Sequence, residues 1–166
     1  MRPVLRPLRP EDLGWVVAAH GRIYTAEYGW DPSFEALVAG IVRDVAAGFD
    51  PARECAWIAE LEGAPVGSAF LVRGPDAETA KLRLVIVDPQ ARGLGLGRTL
   101  ARACEDFARA QGYSRITLWT HSVLLAARAL YASEGYRLVA SAPHHSFGHD
   151  LVEETWEKDL TAPRTA

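Results

Sequence analysis

The sequence predicts an α+β fold built on a mixed sheet, and three observations carry that prediction. Apolar residues switch between helical and strand-like spacing along the chain, in the order strand, two helices, three strands, helix, strand, helix, two strands. The residues around Glu62-Gly63-Ala64 read as a hairpin with a short glycine turn, so part of the sheet is antiparallel. An apolar run then ends at Val87-Asp88-Pro89, and Gly93, Gly95 and Gly97 open the next amphipathic segment.

Val4 to Leu8 reads as a short first strand. Arg9-Pro10-Glu11-Asp12-Leu13 then starts a helix, with acidic residues where the helix dipole is positive, and Trp15, Val16, Ala19 and Ile23 continue it. After Asp31-Pro32-Ser33 the apolar residues Phe34, Leu37, Val38, Ile41, Val42 and Val45 repeat at helical spacing to near Gly48. Tyr24 to Trp30 is expected as the loop between these helices. Cys55 to Glu60 and Pro65 to Val72 are the hairpin strands, and Ala80 to Val87 follows the break at Gly74-Pro75-Asp76. Thr99 to Gln111 is a helix stopped by Gly112, Arg115 to Trp119 a strand, and Leu124 to Ser133 a helix stopped by Gly135. Tyr136 to Ala140 and Leu151 to Leu160 are the closing strands, with a loop bearing His144, His145 and His149 between them. Residues 1–160 make a single domain, and 161–166 are expected to form a loose tail.

With 166 residues, 49% hydrophobic and 23% charged, the chain suits one domain with one sizeable core. No run approaches the roughly 20 apolar residues of a transmembrane helix, and no apolar stretch follows the arginines of Met1-Arg2-Pro3-Val4-Leu5-Arg6, so a cytoplasmic protein with no membrane partner is expected. Cys55 and Cys104 lie far apart and outside any C-x-x-C pair, which favours buried thiols over a disulfide or metal site. A net charge of −3 gives no basic footprint for nucleic acid.

The glycine stretch is a phosphate cradle in sequence form. Glycine turns its amides toward a ligand without steric cost, and the following helix adds unpaired N–H groups and a positive dipole end, so a pyrophosphate would fit. The dinucleotide fingerprint fails because Arg98 stands where a glycine is needed, and the P-loop fails for want of Gly-Lys-Ser/Thr. The stretch resembles the acetyl-CoA signature of the GCN5-related N-acetyltransferases (GNAT), whose R/Q-x-x-G-x-G/A pattern is met by Arg92, Gly95 and Gly97. This resemblance runs along almost the whole chain and implies a mixed, mostly antiparallel central sheet flanked by helices.

The resemblance further implies acetyl-CoA as acyl donor and direct attack of an amine on its thioester, with positioning supplying much of the rate. Backbone groups of Val85, Ile86 and Val87 would pair with the pantetheine arm. Amides from Gly93 through Leu94, Gly95, Leu96 and Gly97 to Arg98 would hold the pyrophosphate, with Arg92 in the same signature and Arg98 adding charge. The Leu94 and Leu96 side chains are expected to pack into the core. Tyr131 sits in a segment similar to the family's A-x-x-x-Y-x-x-x-G-[FY], where the tyrosine faces the leaving sulfur, so it is expected to protonate the coenzyme A thiolate. A phenol with a reference pKa of about 10 suits that task; packing against Tyr136 is the plainer role.

Two departures from the family matter. Leu124 stands seven residues before Tyr131, where many members carry an asparagine, and the strand before the loop offers Thr79, Ala80, Lys81, Leu82 and Arg83 where some carry a basic glutamate. Glu78 and His121 are therefore the candidates for general base, each with a solvated surface role as its rival. Tyr24, Glu27, Tyr28 and Trp30 either line the acceptor pocket, which would suit a cationic or arylalkyl amine, or cap the core. His144, His145 and His149 have no convincing ligand spacing, so no metal is expected and they edge the acceptor site or the surface.

The stretch from His144 to Leu160 further resembles the acetyltransferase half of bacterial proteins that join a MarR-type regulator to a GNAT domain. No basic helix-turn-helix precedes Met1, so transcriptional regulation is not expected to carry over. The expected activity is acetyl-CoA-dependent acetylation of a primary amine of a small molecule. A non-catalytic acyl-CoA-binding or sensory module and a protein or peptide N-acetyltransferase are the alternatives. Exposed sheet edges near the C-terminus leave room for a homodimer.

Overall fold

The computed structural model describes residues 2–164. One seven-stranded sheet has the order β1-β2-β3-β4-β5-β7-β6. Its strands are β1 (Val4–Pro7), β2 (Cys55–Leu61), β3 (Ala64–Arg73), β4 (Thr79–Val87), β5 (Arg115–His121), β6 (Arg137–Ser146) and β7 (His149–Asp159). Every neighbouring pair is antiparallel except β4 with β5, so the sheet is mixed and mostly antiparallel. Helices α1 (Leu13–Tyr28) and α2 (Pro32–Gly48) cover one face, while α3 (Leu96–Ala110) and α4 (Leu125–Ser133) pack against the other.

The two cores follow the strand alternation. On the α3 side Leu82, Leu100, Ile116 and Leu118 are buried together; on the α1 and α2 side Val16, Phe34, Val38, Ile58 and Phe70 are. Each such side chain removed from water contributes about 1.5–3 kcal/mol. Alternation slips inside β4, where Leu84 has φ 55° and the register with β3 shifts between Ser68 and Phe70. Arg83 faces the α1 and α2 side by alternation, and the bulge brings Leu84 to that side as well.

Several boundaries differ from the sequence expectation for local physical reasons. α1 runs on through Tyr28 and stops only at Gly29, whose left-handed φ of 66° lets its N–H bond the Thr25 carbonyl, so Tyr24, Glu27 and Tyr28 are helical rather than loop residues. Asp31 then caps α2, its carboxylate accepting from the Ser33 N–H at 2.9 Å. α3 begins at Leu96, inside the glycine stretch, because Gly95 takes the left-handed cap position with φ 72°. The histidines lie not on a loop but in the strands of a hairpin, turned by Phe147 and Gly148 with φ 56° and 82°.

Ion pairs fix the remaining joints. Buried Glu134, just after α4, accepts from Arg102 at 2.7 and 3.0 Å and from Arg98 at 3.2 Å, which locks α4 onto α3. The start of the expected loose tail is tied down: Arg109 donates to the Leu160 and Ala162 carbonyls at 2.8 and 2.7 Å, and Arg164 pairs with Glu105 and Asp106. The last two residues of that expected tail lie outside the described residues. No helix among the described residues is long and apolar enough to cross a membrane.

Candidate active site

The parallel pair β4 and β5 is in register only from Thr79 with Arg115 to Leu82 with Leu118. Beyond that point the strands part, and the β4 edge from Arg83 to Val87 faces no β5 partner. Two cavities fill the opening. The larger, about 460 Å³, lies between Val85–Val87, the glycine loop and Leu130 of α4. The smaller, about 100 Å³, lies on the α2 side against Trp30, Phe34, Arg83, Trp119 and His121. Tyr24, Val85, Leu124, Ala127 and Tyr131 line both, so the cavities meet at Tyr131.

The larger cavity has the features of a pyrophosphate cradle. Gly93 and Gly95 sit at φ 84° and 72°, where an L side chain is strained, and no backbone carbonyl among the described residues accepts from the amides of residues 93–98. These amides and the start of the 15-residue α3 present a concentrated positive end. Gly97 allows close helix packing, since a Cβ there would come 3.2 Å from Leu130 Cδ2. The arginines are less free than the sequence suggested: Arg92 pairs with Glu27, and Arg98 with Glu134 and the Ser133 hydroxyl. Leu96 is buried, but Leu94 is 51% exposed instead of packing into the core.

Of the expected acceptor residues, Trp30 lines only the smaller cavity, Tyr24 lines both, and Glu27 and Tyr28 line the larger one. Trp30 and Tyr24 also stack into a cluster with Phe34 and Phe147, so lining and core-capping coincide. Glu78 is exposed just before β4, where its carbonyl accepts from the Ser114 N–H at 2.9 Å. It lines neither cavity.

His121 ends β5 rather than following it, and it is 2% exposed. Its Nε2 lies 3.1 Å from Nε2 of His144, whose Nδ1 lies 2.8 Å from the Ser146 hydroxyl. Burial, reinforced by the neighbouring imidazole of His144, lowers the His121 pKa to about 4, so the ring is neutral near pH 7. Nothing in the sequence spacing of His144 links it to His121, so its place beside that ring is visible only in the fold. Tyr131 is 7% exposed and packs against Tyr136 at a centroid distance of 5.6 Å. Burial pushes its phenol up, with smaller contributions from Tyr24 and Cys104, so it stays protonated. Among the described residues no cluster of three or more acidic, histidine or cysteine side chains could hold a metal.

Lys81 and Arg83 are the charged residues of the smaller cavity, and no Asp or Glu lines it. Of the residues expected around the acceptor, Glu27 pairs with Arg92 beside the larger cavity, while Trp30 lines the smaller one.

Residues 15–136 match the model of the Acetyltransferase (GNAT) family. The chain is 36% identical over 102 residues to the N-acetylaspartate synthetase of Xenopus tropicalis, covering 60% of this chain and 38% of that protein. It is 38% identical over 101 residues to the mycothiol acetyltransferase of Beutenbergia cavernae, covering 60% and 33%. The chain thus spans well under half the length of these two relatives. In fold it is similar to a Salmonella typhimurium structure solved with its cofactor acetyl-CoA, with a TM-score of 0.77 at 19% identity over 100% of this chain and 98% of that one. The ribosomal-protein-alanine N-acetyltransferase of Brucella melitensis superposes with a TM-score of 0.76 at 22% identity, covering 95% and 99%. With the opened β4–β5 pair, the amide-rich cradle and this match over most of its length, the chain belongs to the acetyltransferase (GNAT) family.

Proposed function

We propose that the protein is an acetyl-CoA-dependent N-acetyltransferase acting on a primary amine of a small molecule. The observation that carries this reading is the meeting of two cavities at Tyr131, one with free amides suited to a pyrophosphate and one with a buried neutral imidazole. The donor lies along Val85, Ile86 and Val87, whose unpaired edge bonds the pantetheine arm, while the amides from Gly93 to Arg98 hold the phosphates. The amine enters through the smaller cavity past Trp30 and Tyr24. As its nitrogen attacks the thioester carbon, the carbon–sulfur bond breaks, His121 accepts the nitrogen's proton and Tyr131 supplies one to the departing thiolate. Glu27 and Tyr28 belong to the donor side in this reading, Glu27 by steering Arg92.

The names of the relatives support a small acceptor, and so does a pocket of about 100 Å³. The free thiols Cys55 and Cys104 fit a cytoplasmic setting. No nucleic acid is needed, and a homodimer would form through the β6 edge, where Leu138 and Val139 are 44% and 46% exposed. Kinship with acetyltransferase halves fused to MarR-type regulators rests on the β6–β7 hairpin, which supplies His144. Leu124 at the start of α4 favours the rival, a non-catalytic acyl-CoA-binding module. The test is release of free coenzyme A from acetyl-CoA across a panel of primary amines, beside calorimetric binding of acetyl-CoA. Binding with amine-dependent release supports the enzyme, binding without release the module, and no binding at millimolar donor defeats both.

A further inference from the structure

The smaller cavity has a charge sign that acetyl transfer does not itself require. Lys81 and Arg83 lie on the same face of β4, two residues or about 7 Å apart, and both are half-buried. Neither makes an ion pair or hydrogen bond to any carboxylate among the described residues. The acidic groups on the elements around them are otherwise placed. Asp44 of α2 acts on Arg83 only through space, Glu153 of β7 accepts from the Trp119 indole at 3.1 Å, and Glu157 stands opposite Thr117, one strand further away. Two desolvated, mutually repelling cations without a counter-ion are costly to hold together. They are stabilised if an anion arrives with the ligand.

Arg83 faces the cavity by the same alternation that places Lys81 there, just two residues before Val85, which lines both cavities. A guanidinium there can reach a carboxylate attached within a few bonds of an amine that sits near Tyr131. We infer that the acceptor is an amine that also carries a carboxylate, bound by Arg83 and Lys81 in the cavity walled by Trp30, Phe34 and Trp119. This inference rests on the proposed acetyltransferase function, because it names the substrate class of that same site.

The test compares free L-amino acids with their α-amides as acceptors, together with calorimetric binding of the N-acetyl amino acids and the N-acetyl amino-acid amides. The amide's amine is the less basic, so chemistry alone favours the amide, and a preference for the acid must come from binding. The expected result is at least one amino acid for which the acid exceeds its amide by about tenfold or more in kcat/KM, the scale of a charge-assisted hydrogen bond. That preference should collapse in Lys81→Met/Arg83→Met and partly return in Arg83→Lys. Acetyl-CoA binding should be unchanged in these variants, since neither residue lines the donor cavity.

Equal or better rates with every amide would overturn the inference and leave the acetyltransferase standing. If no amine is acetylated, the acetyltransferase reading fails and binding decides the inference alone: N-acetyl acids held more tightly than their amides in a Lys81- and Arg83-dependent way support it. Absence of any such difference overturns it.

Discussion

The Nε2 atoms of His121 and His144 lie 3.1 Å apart, linking the end of β5 to β6 across the intervening β7. Only one proton can sit between them. If the Ser146 hydroxyl donates to Nδ1 of His144, the other nitrogen of His144 donates to His121, and the reverse order is equally consistent with the distances. Either way, protonating both rings sets two like charges side by side in a buried place. His121→Ala is expected to lower kcat by about a hundredfold, in the range of a lost general base. In His144→Ala the like charge is removed, so the His121 pKa rises and the acid limb of the kcat/KM profile moves to higher pH. Profiles of both variants against the parent check this; an unmoved limb would remove His121 from the mechanism.

Tyr131→Phe is expected to leave acetyl-CoA affinity within a factor of about two and to lower kcat by about a hundredfold. The ring keeps its packing against Tyr136, so thermal stability should hardly change. Calorimetry and initial rates separate the two effects, and unchanged turnover would show that the ring only packs.

The cradle can be probed at its cap. Gly95→Ala places a side chain at φ 72°, which costs about 1 kcal/mol. Relief of that strain re-aims the amides at the start of α3. Acetyl-CoA binding is expected to weaken by about tenfold, while a pantetheine thioester lacking phosphates loses little. Titration with both ligands checks whether the phosphates are the part affected.

Two buried histidines contribute to the acid stability. Burial lowers the pKa of His20 to about 4, against the opposing hydrogen bond of its Nδ1 with the Val16 carbonyl at 2.8 Å, and His121 is lowered to about the same value. Both bind protons more readily unfolded than folded. Their contribution is therefore present above the ordinary histidine pKa of about 6.5 and is lost as pH falls toward 4. The midpoint of thermal unfolding should drop across that window. His20→Phe should flatten the slope, and an unchanged slope would show that His20 does not titrate on unfolding.

The legible parts of the chain were those governed by local rules. Periodicity and punctuation in the sequence were enough for the seven strands, the four helices and their order, because the side-chain repeat and the breakers Gly63, Pro75, Gly112 and Gly135 act over a few residues. The glycine cradle was legible for the same reason. Boundaries at Tyr28 and Leu96 were misplaced because Gly29 and Gly95 take their left-handed conformations from cap geometry, which composition does not reveal. Leu94 was expected in the core because apolar character says nothing of direction, and the loop turns it outward.

By itself, then, the sequence determined the fold class, the glycine-rich loop before α3 and the segment that carries Tyr131, all contiguous stretches of chain. Only the tertiary structure decided how the smaller cavity is made, since it is assembled from residues distant in sequence. The parting of β4 and β5 opens it, β4 presents Lys81 and Arg83 to it, and the closing hairpin brings His144 to His121. The same assembly leaves Glu78 at the far end of the strand and pairs Glu27 with Arg92 beside the larger cavity. Sheet register and strand twist act over tens of residues, and no local pattern of residue types encodes which side chains they bring within 3 Å of one another.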